Sequence, residues 1–181
     1  MKVEETSLPG VLLITPTVFR DDRGAFQETF NLRAMTAAGL PSNWVQDNFS
    51  LSRKNVLRGI HYQLLQPQGK LVRVTHGAVL DAAVDLRRSS PHFGRHVAVE
   101  LSGENGCMLW IPPGFGHAFL VLSDVAGFAY KVTDYYSPGG ERTILWNDPA
   151  IGIPWPVKPE EAIVSSKDRL GALLLAAEVF P

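Results

Sequence analysis

KLVRVTHGAVLDAAVDL, residues 70–86, is the stretch on which the fold turns. Both flanks of THGA are rich in aliphatic and β-branched residues, and Gly77 supplies the backbone freedom that a sharp turn demands. Leu80, Ala82, Val84 and Leu86 alternate, so a strand here presents one apolar face. The spacing predicts two strands, Lys70 to His76 and Ala78 to Asp85, joined as a tight hairpin and running through the middle of a sheet.

The same pattern repeats outward. Short segments rich in Val, Ile, Leu, Phe and Tyr predict strands at Val11 to Val18, Phe26 to Asn31, Trp44 to Ser50 and Val56 to Gln63. Four more are expected at Arg95 to Leu101, Cys107 to Ile111, His117 to Leu122 and Phe128 to Thr133. Turn residues separate them at SLPG, DDRG, LSGENG and SPGG. Many short strands punctuated in this way make an all-β sandwich or barrel. Two helices are expected beside it: NLRAMTAAGL, closed by Gly39 and Pro41, and LGALLLAAEVF at the C-terminal end. The Pro-rich DPAIGIPWPVKPEEA reads as an extended arm across the body.

A chain of 181 residues suits one domain with a real core. Hydrophobic residues are 45% and charged residues 19%, and the net charge of -1 offers no general field for nucleic acid or another polyanion. The single cysteine, Cys107, excludes an internal disulfide framework and cannot alone build a thiolate metal site. No stretch approaches the roughly 18 apolar residues of a membrane span. The first residues lack the flanks and cleavage site of a signal peptide, so a cytoplasmic protein is expected, with the sequon at Asn48 unglycosylated.

Polar residues interrupt this apolar pattern at specific places. LRGIHYQ, residues 57–63, carries Arg58 and His61 inside a strand that otherwise reads as buried. A core histidine satisfied by a backbone carbonyl and a snorkelling arginine would account for them; so would a strand that lines a pocket. Three positions separate the two residues, so a regular strand sends them to opposite faces. If both serve one pocket, Gly59 marks a bulge that resets the alternation. Elsewhere Lys70 begins one strand, Tyr130 and Lys131 lie inside another, and Gln46 and Asn48 alternate so as to share a face. Arg23 and Glu28 flank the turn and strand at DDRGAFQE.

The pattern Pro112-x-Gly114-x-x-His117 resembles the second half of the cupin barrel signature, whose histidine is often a metal ligand. The earlier strand offers only His61 as a second imidazole, below the three or four ligands a site needs. His92 and His96 have helical metal-site spacing, but Pro91 and Gly94 argue against a helix there. No metal site is expected.

Six blocks then resemble, in order, the dTDP-4-dehydrorhamnose 3,5-epimerase family: RDDRGAFQETF, QDNFSLSRKNVLRGIHYQ, PQGKLVRVTHGAVLDAAVDLRRSSPHFG, LWIPPGFGHAFLVLS, YKVTDYYSPGGER and SSKDR. The resemblance runs from about residue 10 to about residue 170. It implies an all-β, cupin-like double-stranded β-helix, or jelly roll, with short peripheral helices. One such domain would span residues 1–181, its segment from about 165 to 181 packed on the barrel. It further implies a homodimer that needs no cofactor and acts on a dTDP-linked 4-keto-6-deoxyhexose. The ketone acidifies the C–H bonds on both neighbouring carbons, so inversion needs a base on one side, an acid on the other and a cation at the enolate oxygen.

By the same resemblance His61 is the base, Asp168 its carboxylate partner, Tyr130 the acid and Lys70 the enolate stabiliser. Substrate contacts are implied for Arg23, Glu28, Gln46, Asp47, Asn48, Arg58, His117, Glu141 and Lys167. Arginine suits the diphosphate because its planar fork binds two oxygens at once. Phe26 and Tyr136 are candidates for stacking on the base or sugar. Inversion at C3 alone is one alternative; a cupin that binds the nucleotide sugar without turnover is another, and would have no need of His61 with Asp168.

Overall fold

Residues that alternate apolar and polar bury one face of a strand, whereas strands apolar on both faces need cover on both sides. The computed structural model describes residues 1–181, and it places these two kinds of strand accordingly. In chain order the first strands are β1 (Lys2–Glu5), β2 (Leu12–Thr15), β3 (Val18–Asp21), β4 (Gly24–Gln27), β5 (Gln46–Arg53), β6 (Val56–Gln63) and β7 (Lys70–His76). They are followed by β8 (Ala78–Asp85), β9 (His96–Ser102), β10 (Met108–Ile111), β11 (Phe115–Val121), β12 (Val125–Val132), β13 (Glu141–Thr143) and β14 (Ile163–Val164). Two short helices, α1 (Leu32–Ala37) and α2 (Ser166–Arg169), complete the set.

One sheet has the order β1-β2-β10-β7-β12-β5, and the other runs β13-β6-β11-β8-β9 with β14 added parallel to β6. Strands β3 and β4 form a separate two-stranded arm. The sheets face one another in a jelly roll. Val72 and Val74 from β7, Val79 and Ala83 from β8, Phe119 from β11 and Phe128 from β12 meet in the interior.

The bounds of β6, β7 and β8 match the sequence reading, and β7 and β8 both lie inside a sheet with neighbours on either side. The hairpin expected between them does not form: Gly77 (φ 76°) carries the chain from one sheet into the other. A strand such as β8, buried along nearly its whole length, is better covered at the centre of a second sheet than beside its own predecessor. The turn is tight against its surroundings, since a Cβ at Gly77 would overlap the Val125 carbonyl oxygen.

Further departures have local causes. The stretch expected as one strand from Val11 to Val18 breaks between β2 and β3, where Pro16 has no N–H to donate. Strands β1, β13 and β14 escaped notice because they are polar or only two residues long. The helix expected over LGALLLAAEVF is absent. Leu174 and Ala177 of that run join Ile60, Val84 and Ile144 in covering the outer face of the second sheet, while Leu170 and Leu175 stay exposed. Bridges from Ala172 to Ile144 and from Phe180 to Arg87 hold the run against the sheet in an irregular path.

The N-terminal helix forms as read. Asn31 caps α1 by accepting from the Ala34 N–H, Gly39 (φ 86°) closes it, and Met35 and Leu40 pack with Ile14 and Trp110 on the outer face of the first sheet. No helix is long and apolar enough to cross a membrane.

Candidate active site

The cavity opens between the two sheets and is built by a break in the alternation of β6. His61 pairs with His117 and Arg58 with Phe119, so β6 spends three steps where β11 spends two. The extra residue is a bulge at Gly59, whose φ of 120° is open to glycine and costly for other residues. Arg58 and His61 therefore line one cavity despite their odd spacing, as the reading of LRGIHYQ required. The cavity measures about 350 Å³ and is bounded also by Asn48, Lys70, His117, Phe119, Phe128 and Tyr130. Phe119 and Phe128 stack at 4.1 Å, giving it an apolar wall.

His61 is oriented from behind. Its Nε2 lies 2.6 Å from Asp168 Oδ1, leaving Nδ1 for a ligand. Asp168 comes from α2, whose cap Ser165 accepts from the Asp168 N–H and so fixes the residue at the helix start. Its second oxygen accepts from the Gly59 N–H at 3.3 Å, tying the bulge to the carboxylate. Burial works to raise the Asp168 carboxyl; the His61 hydrogen bond and charge, with Gly59 and Ser165, outweigh it and hold the group below its usual range. A carboxylate that stays ionised stabilises an imidazolium, which is what a histidine base becomes after taking a proton.

Tyr130 stands on β12, in the sheet opposite His61. Burial raises its hydroxyl above the usual phenol value, so it keeps its proton and is fit to donate it. Lys70, at the start of β7, donates to the His61 carbonyl oxygen at 3.4 Å. Burial lowers it to about 8. Arg58 is steadied by Ser52, which accepts from its Nε and one terminal nitrogen at 3.2 and 3.0 Å. His117 donates or accepts through Nε2 at 2.8 Å from Asp81, a residue with no exposure.

The other residues taken from the sequence are placed less uniformly. Gln46 donates to Asn48 at 2.8 Å, so the two share the inward face. Asp47 lies on the opposite face of β5 and pairs with Lys131 at 2.9 Å, as the two-residue period requires. Glu141, on the strand beside β6, takes Lys167 at 2.6 Å and the Tyr136 hydroxyl at 2.9 Å. Arg23 and Glu28 sit at and beyond the β3–β4 arm, away from the cavity; Arg23 is bound only to Asp21 and its side chain is 90% exposed. Sequence reasoning passed over Ser52 and Asp81. Asp81 carried a signal, an acidic residue with the same parity as Val79 and Ala83 in a strand buried on both faces.

No three His, Cys, Asp or Glu side chains are grouped to hold a metal ion. The arrangement is that of proton transfer: an oriented imidazole on one wall, a protonated phenol on the other, and a lysine nearby.

Comparison with known proteins agrees with this chemistry. A family profile described as dTDP-4-dehydrorhamnose 3,5-epimerase matches residues 5–175. A curated protein of that name from Pseudomonas aeruginosa is 52% identical over 182 residues, covering 100% of both chains. The crystal structure of dTDP-6-deoxy-D-glucose-3,5-epimerase from Legionella pneumophila, in complex with dTDP-4-keto-L-rhamnose, superposes with a TM-score of 0.93 at 47% identity, covering 98% of this chain and 94% of that one. A 3'-monoepimerase from Streptomyces bikiniensis, solved with dTDP-quinovose, is more distant: TM-score 0.87 and 34% identity, covering 94% and 86%. From profile, sequence and structure together, this chain belongs to the dTDP-4-dehydrorhamnose 3,5-epimerase family.

Proposed function

We propose that the chain epimerises dTDP-4-keto-6-deoxy-D-glucose at C3 and C5, giving dTDP-4-keto-L-rhamnose. The observation that carries this reading is the His61–Asp168 pair facing Tyr130 across the cavity, with Lys70 in the same space. The C–H bond beside the ketone breaks, His61 Nδ1 takes the proton, and the electron pair moves onto the ketone oxygen as an enolate. Lys70 supplies positive charge to that oxygen. Tyr130 then gives its proton to the opposite face of the same carbon, which inverts it. Nothing in this scheme calls for a cofactor, because the substrate's own ketone holds the electron pair.

Arg58, steadied by Ser52, is assigned to the diphosphate, and Asn48, Gln46 and His117 to hydroxyl groups of the sugar. The reading includes a homodimer. Phe19 and Phe26 on the arm and Phe49 and Leu51 on edge strand β5 are all more than half exposed, an apolar surface that a second copy would cover. Arg23 and Glu28 lie with that arm and so reach a ligand most directly in the cavity of the second copy. Sedimentation at micromolar protein is expected to give the mass of two chains; a single-chain mass overturns this part of the reading. A cytoplasmic setting accords with one unpaired cysteine.

Incubation with dTDP-4-keto-6-deoxyglucose in deuterated water, read by proton NMR, tests the reaction. Deuterium is expected at both C3 and C5. Label at C3 alone makes the chain a 3-epimerase, and no label at either carbon sinks the enzymatic reading. Tyr130→Phe separates the two half-reactions: proton exchange through His61 persists while net inversion falls by about 100-fold or more. Full inversion by Tyr130→Phe would remove Tyr130 from the scheme.

A further inference from the structure

We propose that Asp81 is a positioning residue for Lys70: a buried negative charge that keeps the lysine an ammonium inside the barrel, ready to meet the enolate oxygen. This rests on the enolate reading above. Asp81 has no exposure and belongs to the inward-facing set of β8, with Val79 and Ala83. One oxygen takes His117 Nε2 at 2.8 Å, and the other, also buried, has no hydrogen-bond partner. A buried carboxylate with half its acceptors idle is costly unless charge compensates it. His117 does not supply that charge: burial holds it below the usual imidazole value, so it is neutral near pH 7.

The compensating cation is Lys70, which enters from the facing sheet. It makes no contact ion pair, and its hydrogen bond goes to the neutral His61 carbonyl. The interaction with Asp81 therefore acts through the apolar interior, where solvent screens little. After burial, which lowers Lys70, Asp81 is the largest influence and opposes that lowering. Among the other groups around Lys70, Glu141 on β13 acts with Asp81 and Lys167 on α2 acts against it. Those two are bound to each other at 2.6 Å, and their effects on Lys70 run in opposite directions. Arg58 and His61 on β6, His117 on β11 and the uncharged phenol of Tyr130 on β12 complete the lining, and none of them is an anion. Asp81 is left as the negative charge with no Lys or Arg in contact with it.

The test is a titration of Lys70 by NMR of protein carrying ¹³C-labelled lysine, the Lys70 signal being identified by its loss in Lys70→Arg. Profiles of kcat/KM against pH accompany it. In the unaltered protein the Lys70 midpoint is expected near 8, with kcat/KM falling above it as the ammonium is lost. In Asp81→Asn the midpoint falls by about one pH unit or more, so kcat/KM at about pH 8 drops about fivefold or more while activity near pH 6 is much less affected. Asp81→Ser, a second neutral variant, reproduces the shift and serves if Asn does not fold. Asp81→Glu, which keeps the charge, restores the midpoint.

An unchanged Lys70 midpoint in the neutral variants overturns the proposal. So does an equal shift in Asp81→Glu, since the effect would then come from packing. The titration needs no substrate, so absence of deuterium exchange in the unaltered protein defeats the epimerase reading without deciding the role of Asp81.

Discussion

His61→Ala is expected to lower turnover by about 10³-fold or more and to remove deuterium exchange at both C3 and C5. Both carbons depend on the same base because one imidazole, oriented by Asp168 at 2.6 Å, presents one free nitrogen to the cavity. Loss at a single carbon would require a second base, and no other histidine, aspartate or glutamate lines the cavity with a free nitrogen or oxygen except His117, which burial and the Asp81 contact hold in place. Alanine also leaves one Asp168 oxygen without its partner, so part of any loss could come from the fold. His61→Gln separates the two effects: it retains an N–H donor for Asp168 yet has no basic nitrogen, and it must lose the same activity. Binding of dTDP, measured by calorimetry, is expected to stay within a few-fold of the unaltered protein, since Arg58 remains on Ser52. Exchange at the unaltered rate in His61→Ala refutes the assignment.

How far such a site can be read before folding depends on what kind of signal marks each residue. Alternation is local, so the bounds of β6, β7 and β8 were legible, as was the conflict of parity between Arg58 and His61. Which strands pair is decided by cover on both faces and by distant segments, and so the turn at Gly77 was misread as a hairpin. The C-terminal leucines show the same limit. Leu174 is buried and Leu175 exposed because the second sheet offers a seat for only one face of an irregular chain, which helix propensity does not register. Asp168 was found only through a family block, because nothing in SSKDR says that a four-residue helix will carry its carboxylate to a strand more than one hundred positions earlier. Asp81 could have been noticed from parity alone. It was hidden by the apolar run that surrounds it.

Gly59→Ala carries the second large effect, and it is expected to damage fold and chemistry together. At φ 120° a residue with a Cβ is strained by about 1–3 kcal/mol. That Cβ would also stand 2.5 Å from both the Ala118 Cβ and the His117 carbonyl oxygen, within the paired part of β11. Backbone cannot yield there as a flexible side chain could, and overlap of this kind adds about 1–3 kcal/mol more. A total near 3 kcal/mol lowers Tm by about 10 °C in a chain of this size. The bulge that relaxes would also move the Gly59 N–H away from Asp168 and turn Arg58 relative to His61, so kcat/KM falls by about 100-fold. Gly39→Ala is the comparison, because Gly39 has φ 86° with nothing within 4 Å of an added Cβ. It carries the conformational strain without the overlap, and it is expected to lose only about 1 kcal/mol and to keep its activity. If Gly59→Ala melts with Gly39→Ala and turns over normally, the bulge is a passive irregularity. If it fails in both respects, the catalytic geometry depends on a residue that has no side chain.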